Sequence, residues 1–403
     1  MHILLIHQAF AAIDEPGGTR HHEFARLLAA QGHRISIIAS PVSYLTGSRE
    51  KHQRMVTEMD GKISIYRSYT YSALHKSFFH RLFSFVSFMV SSFFTGLGIK
   101  EVDIVWGTSP PIFQGVTALL LARMKGAKFL MEIRDLWPAF AVAVGVLRNK
   151  TLIRMSQWLE RFLYKHADHV VVNSPGYIDH VRERGAESIS MIPNGADETL
   201  FESNFSIYRE KLGWKGKFVV LYAGAHGISN DLETILDCAE IIEENNTILF
   251  AFLGDGKEKQ NLINKSKTMQ LSNVQFLDPV PKSEIAAYLN AADACLAILK
   301  PIDMYKTTYP NKVFDYMAAG KPVILAIDGV IRDVVEKSQC GIFCEPGNPI
   351  SISKAVVEMH TMKKTELNSM GKNGKEYLGK HFDRKNTVKL FSDMIEKMVD
   401  ENV

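Results

Sequence analysis

Short apolar runs alternate with helix-periodic stretches along this chain, and they do so in two separate series. Residues 2–7, 34–40, 63–67, 102–106, 127–132 and 169–173 are rich in Ile, Val, Leu and Phe with little polar alternation. That is the pattern of strands buried on both faces. Strand and helix in alternation predict a parallel, doubly wound α/β sheet. The same grammar restarts after residue 216, with strand-like runs at 217–224, 247–254, 274–277 and 294–299, so a second open sheet follows. Turn-rich Ile192-Pro193-Asn194-Gly195-Ala196-Asp197 fits a hinge between them. The expected organisation is an N-terminal Rossmann-like domain over 1–203, a second over 204–380 and a closing helical segment over 381–403.

The composition supports two cores: 403 residues, 46% hydrophobic and 23% charged, leave no long disordered tail. A net charge of +3, with no long basic run, argues against non-specific nucleic-acid binding. Residues 1–203 hold 22 Lys/Arg against 18 Asp/Glu, an excess that suits an anionic membrane surface or a phosphorylated acceptor. Cys238, Cys295, Cys340 and Cys344 lack metal-ligand spacing and read as reduced, buried thiols, which predicts a cytoplasmic protein. Residues 1–6 read as a first strand, without the charged region of a secretory signal.

Several stretches carry chemistry. Tyr309-Pro310-Asn311-Lys312-Val313-Phe314-Asp315-Tyr316-Met317-Ala318-Ala319-Gly320 reads as a loop and a short helix. A helix starting near Asn311 turns free N–H groups and the positive end of its dipole toward an anion such as a diphosphate. Asp315, one turn in, could hold a ribose diol. Gly17-Gly18-Thr19-Arg20 lies between the first strand and a helix over about 19–30, where glycines permit close backbone approach and Arg20 could meet a phosphate. Glu132, Arg134 and Asp135 end a buried strand before Trp137-Pro138, and each charge needs a partner or water. For Asp135 that leaves an Arg134 salt bridge, a helix cap or catalysis. Residues 75–99, with seven Phe and no charge after Arg81, read as a buried crossover helix or an interfacial helix entered through His75, Lys76, His80 and Arg81 rather than a membrane span.

The run ending Asp315-Tyr316-Met317-Ala318-Ala319-Gly320-Lys321-Pro322-Val323 resembles the donor-sugar signature of family 4 glycosyltransferases. Met191–Asp197, Gly254-Asp255-Gly256 and Val280-Pro281-Lys282-Ser283-Glu284 follow in that family's order and spacing. The resemblance covers nearly the whole chain. It implies the GT-B architecture, two Rossmann-like domains facing across a cleft, and a retaining, metal-independent transfer without cofactor from a nucleotide-sugar. The nearest likeness is to O-antigen and capsule enzymes such as N-acetyl-L-fucosamine transferases, which implies a UDP-linked donor such as UDP-N-acetyl-L-fucosamine. It also implies a polyprenyl-diphosphate-linked saccharide acceptor in lipopolysaccharide or capsule biosynthesis, and peripheral contact with the inner face of the plasma membrane.

By the same resemblance, Asp135 is the catalytic candidate. Gly17, Gly18, Arg20, Gly224, His226, Gly254, Asp255, Asn311, Lys312 and Asp315 would contact the donor, and the backbone at Val280 would pair with the nucleobase. Two departures stand out. Thr307 replaces the first acid of the Glu-x7-Glu pattern, and residues 218–256 contain no Lys or Arg, so the usual diphosphate clamp after Gly224 is missing. Lys312 is the best replacement, with Arg20, Lys300 and Lys306 behind it. Two alternatives are a UDP-sugar 2-epimerase of the same fold, which the Asp315 run argues against, and a non-catalytic partner subunit, which the departures keep open.

Overall fold

A computed structural model describes residues 1–43, 47, 49, 52–72, 78–201 and 206–400. The chain divides into unit 1, Met1–Ile13, Gly17–Pro193 and Lys385–Val403, and unit 2, Asp14–Pro16 and Asn194–Arg384.

Unit 1 runs β1 (His2–Ile6), α1 (Arg20–Ala30), β2 (Arg34–Ala39), β3 (Met55–Glu58), β4 (Ile63–Arg67), α2 (Phe78–Leu97), β5 (Ile104–Ser109), α3 (Phe113–Lys125), β6 (Lys128–Ile133), α4 (Ala139–Ala143), α5 (Lys150–His166), β7 (His169–Val172), α6 (Ile178–Glu183) and β8 (Ile189–Met191). Its sheet has the order β3-β4-β2-β1-β5-β6-β7-β8, parallel except where β3 pairs antiparallel with β4. β3 went unread in the sequence because Met55, Val56 and Thr57 are exposed on an edge, so no apolar run marks it. β5 starts at Ile104, two residues later than the 102–106 run suggests, and Asp103 just before it already bonds both neighbours. Its N–H donates to the His2 carbonyl and its carbonyl accepts the Lys128 N–H, each at 2.9 Å, while its carboxylate accepts the His2 N–H at 2.6 Å.

Unit 2 runs α7 (Ser206–Lys211), β9 (Phe218–Ala223), α8 (Leu232–Ile241), β10 (Ile248–Leu253), α9 (Lys259–Thr268), β11 (Val274–Leu277), α10 (Lys282–Ala291), β12 (Ala294–Ile298), α11 (Asn311–Ala318), β13 (Val323–Ala326), α12 (Val330–Ser338), β14 (Gly341–Phe343), α13 (Pro349–Thr361) and α14 (Lys364–His381). Its six parallel strands lie in the order β11-β10-β9-β12-β13-β14. In each sheet the chain reverses direction of build at one point, between β1 and β5 and between β9 and β12. Those switch points are where open α/β sheets bind ligands. All four cysteines are free and buried.

The last helix, α15 (Arg384–Asp400), belongs almost wholly to unit 1. Phe391 stacks 4.6 Å from the buried Trp106 ring and 5.5 Å from Phe24, and Val388 and Ile395 join the same core.

Within the 75–99 stretch, α2 (Phe78–Leu97) is amphipathic. Phe88 is fully buried and Phe85 and Phe93 are half-buried, while Phe79, Phe83 and Phe94 are about two-thirds exposed. His75 and Lys76 lie outside the described residues. Among the described residues no helix is long and apolar enough to cross a membrane.

Candidate active site

In unit 2 the motif residues gather at the carboxyl ends of β9, β10 and β12. The buried Tyr316 hydroxyl does the anchoring: it accepts the Ala223 N–H at 3.0 Å and faces the carbonyls of Ala223 and Leu296 at 3.2 and 3.3 Å. That one side chain ties α11 across the switch point and aims the amino end of the helix at the β9 loop. Tyr316→Phe should cost about 1–3 kcal/mol, because it leaves the Ala223 N–H buried without an acceptor; chemical denaturation measures it.

Lys312 reaches from α11 to the β9 loop. Its ammonium donates to the Tyr222 hydroxyl at 2.7 Å and to Asn230 Oδ1 at 3.1 Å, and it sits 4.0 Å from the Tyr222 ring centroid. A Cβ on Gly224 would lie 3.3 Å from that ammonium. No carboxylate pairs with it among the described residues, and burial pushes its pKa down to about 7. A cation held this way gains most from an incoming anion. Lys306 is instead paired on the surface with Asp303 at 2.8 Å.

The β9 and β10 loops are locked together backbone to backbone. A Cβ on Gly254 would fall on the Gly224 carbonyl, and one on Gly256 on the His226 carbonyl, so only glycine fits either place. Asp255 serves this lock: its carbonyl accepts the His226 N–H at 2.8 Å and its carboxylate the Gly256 N–H at 2.7 Å. His226, expected to meet the donor, lies below the surface. Its ring is fully buried among Tyr222, Phe252 and Phe276, and burial, then Lys259 and Lys312, lower its pKa to about 3. Both ring nitrogens are buried without a hydrogen-bond partner among the described residues, so the neutral ring is held by packing alone.

Asp315 also differs from expectation. Its carboxylate forms an ion pair with Lys282 at 2.5 Å and accepts from Asn311 Nδ2 at 3.3 Å, with both charged side chains largely buried. Sequence reasoning missed Lys282 as a partner, although it stands inside the Val280–Glu284 motif, because its pairing joins two helices 33 positions apart. The Val280 N–H and C=O bond to nothing among the described residues.

In unit 1 the charged end of β6 divides its roles. Glu132 is fully buried; burial opposes its charge, but His21 at 2.6 Å and Arg20 at 3.2 Å, with Arg134, hold it ionised at about 2. Arg20 is therefore not available to a phosphate as expected. Its remaining donors cap the carbonyls of Pro193 at 2.8 Å and Ile192 at 3.0 Å, and it lies over the Phe24 ring. α1 starts at Arg20, so this first-turn side chain swings inward onto β6 and the end of β8. Gly17 and Gly18 precede it on an exposed loop.

Asp135 is different. Neither an Arg134 bond nor a helix cap engages its carboxylate among the described residues: Arg134 donates to the Pro110 carbonyl at 3.2 Å, and only the Asp135 carbonyl is used, by the Trp137 N–H. Burial raises its pKa to about 6 against the pull of Arg134. A nearby His7, also missed from sequence, is fully buried, 4.2 Å from the His21 ring, with its Nδ1 3.1 Å from Thr108 Oγ1. Among the described residues no group of three His, Cys, Asp or Glu is placed to hold a metal.

Residues 17–195 match the Glycosyl transferase 4-like domain and residues 204–377 match Glycosyl transferases group 1. The chain is 24% identical over 79% of its length to a glycosyltransferase named WbjE of Pseudomonas aeruginosa, covering 80% of it. It is 23% identical over 92% of its length to WcaI of Escherichia coli, named for colanic acid biosynthesis, covering 93% of that protein. Among solved structures, a sucrose-phosphate synthase from Thermosynechococcus elongatus superposes with a TM-score of 0.80 at 17% identity, over 99% of both chains. HepE of Anabaena, solved with UDP-glucose, gives 0.72 at 15% identity over 98% of this chain and all of its own. With a glycosyl transferase 4-like domain and a glycosyl transferases group 1 domain on two doubly wound sheets, the chain is a glycosyltransferase of the GT-B fold.

Proposed function

We propose that this glycosyltransferase takes a UDP-linked sugar, such as UDP-N-acetyl-L-fucosamine, and transfers it with retention to a growing surface polysaccharide. Its acceptor is polyprenyl-diphosphate-linked, and the protein works from the cytoplasm in peripheral contact with an anionic membrane. The relative named for colanic acid biosynthesis and the HepE complex with UDP-glucose support the polysaccharide and the UDP donor. The single observation that carries donor binding is Lys312, a desolvated ammonium at the amino end of α11 with no carboxylate beside it. It takes the place of the absent clamp and meets the diphosphate, while the unpaired Val280 backbone reads the base edge. Asp135 then orients or deprotonates the acceptor hydroxyl. The leaving diphosphate accepts the developing charge, and Lys312 and the α11 N–H groups stabilise it.

The Lys312 role predicts a proton linkage. Free Lys312 titrates near 7, and a bound diphosphate raises that value by favouring the ammonium. Below pH 7 the site is already charged, so affinity is flat. Above it, UDP binding takes up a proton and affinity falls by up to about tenfold per pH unit. Tyr222 and His226 stay in one charge state across this window, the tyrosine raised and the histidine lowered by burial. Titration calorimetry from pH 6.5 to 8.5, in buffers of different ionisation enthalpy, measures the uptake. Lys312→Gln should abolish the slope and weaken UDP about ten- to a hundredfold at pH 7, the loss of a charge-assisted bond of about 1.5–3 kcal/mol. Wild-type affinity in that variant would remove Lys312 from the donor site.

A further inference from the structure

Helix α5 has a surface whose chemistry nothing in the transfer reaction uses. Its side chains follow the 3.6-residue period, so Lys150, Arg154, Arg161 and Lys165 fall within about 60° of arc, and all four are exposed. Immediately beside them runs an aromatic ladder at intervals of four residues: Trp158 stacks on Phe162 at 5.3 Å, and Phe162 contacts His166 at 4.3 Å. Trp158 is 64% exposed and Met155, on the same side, 61%. The helix has one carboxylate, Glu160, and it is turned fully inward, where His180 and Arg184 each hold it at 2.8 Å. The outward surface of α5 is therefore basic and aromatic with no negative charge of its own.

A water-facing helix gains nothing from a two-thirds exposed tryptophan, whereas at a lipid headgroup layer an indole buries its ring and keeps its N–H wet. Four cations beside that ring complement anionic headgroups. α2 lacks this match: it exposes Phe79, Phe83 and Phe94, but Arg81 at one end is its one Lys or Arg. α3 packs against both helices and exposes Leu120 and Met124, so the apolar character continues across one helical layer of unit 1.

We propose that α5 is the docking face of this enzyme for an anionic phospholipid bilayer, with Trp158, Phe162 and Met155 entering the headgroup region and Lys150, Arg154, Arg161 and Lys165 pairing with lipid phosphates. The inference rests on the membrane contact proposed above and names the surface that makes it. The test is co-sedimentation of the full chain with phosphatidylglycerol-rich vesicles at low salt, with phosphatidylcholine vesicles alongside. Wild type should bind the anionic vesicles, release as salt rises and ignore the neutral ones. The Arg154→Glu/Arg161→Glu/Lys165→Glu variant should lower the partition coefficient at least about a hundredfold, since each basic residue near such a surface contributes roughly fivefold. Trp158→Ala should lower it by about tenfold, the scale of one anchoring aromatic ring. UDP affinity, which reports unit 2, should stay within twofold of wild type in both, and an unchanged circular dichroism spectrum and thermal transition establish that unit 1, which carries α5, is folded. Wild type that ignores anionic vesicles overturns both the membrane contact and its assignment to α5. Wild-type binding that survives both variants keeps the contact but moves it off α5. Self-association in sedimentation velocity that Trp158→Ala abolishes would give the face to a second copy of this chain and overturn the lipid assignment.

Discussion

Asp135→Asn is expected to lower turnover at least about a hundredfold while UDP affinity stays within about twofold. The size is that of a positioned group that handles a proton in the transition state. Two features of the structure set this outcome. The carboxylate has no hydrogen-bond or ion-pair partner among the described residues, and burial raises its pKa to about 6 in spite of Arg134. A structural carboxylate would be paired, as Glu132 is with His21 and Arg20. The pH behaviour separates the two cases. If ionised Asp135 acts on the acceptor, wild-type turnover falls as pH drops through about 6, and the asparagine variant, beyond its lower rate, loses that limb. Stability should move the other way. The folded pKa lies above the unfolded value of about 3.8, so the native state binds more protons between the two and stability falls as pH rises through that window. Removing the carboxylate removes the penalty, and thermal unfolding at pH 7 should occur no lower than in wild type. Turnover within a few-fold of wild type would return Asp135 to a structural role.

Asp315→Ala is expected to destabilise unit 2 by about 3–5 kcal/mol, the usual cost of stranding one partner of a buried ion pair. The stranded group is Lys282, whose side chain is only 6% exposed and which lies 2.5 Å from the carboxylate. A weak UDP signal from this variant alone would thus confound lost contact with lost fold. Removing both charges, as Asp315→Ala/Lys282→Met, should recover most of the stability, because a buried pair contributes little beyond what an apolar replacement supplies. The informative measurement is urea unfolding, following the transition that UDP displaces, together with UDP titration of the double variant. If Asp315 holds the ribose diol, the refolded double variant still binds UDP about ten- to a hundredfold more weakly. UDP affinity equal to wild type would make the pair purely structural.

Much of this protein follows from local pattern. Consecutive apolar positions marked most of the parallel strands, among them β1, β2, β5, β6, β9, β10 and β12, because a strand covered by helices on both faces leaves no position for alternation; the exposed edge strand β3 and the three-residue β8 carry no such run. The Asn311–Gly320 run marked a helix with its amino end open and Tyr316 two positions before its C-terminal residue. What the sequence leaves open is pairing across distance. Arg20, Lys282 and Lys312 look alike as cations beside phosphate-binding motifs. The tertiary structure directs Arg20 onto Glu132, 112 positions away, and Lys282 onto Asp315, and leaves Lys312 beside Tyr222 without a carboxylate. The reason is physical: a buried charge is governed by whichever opposite charge or dipole the fold brings within a few ångströms, and local sequence carries no record of that neighbour. The same holds for α5, whose composition announces an amphipathic helix, but only the inward turn of Glu160 onto Arg184 and His180 leaves its basic and aromatic outer face without a carboxylate.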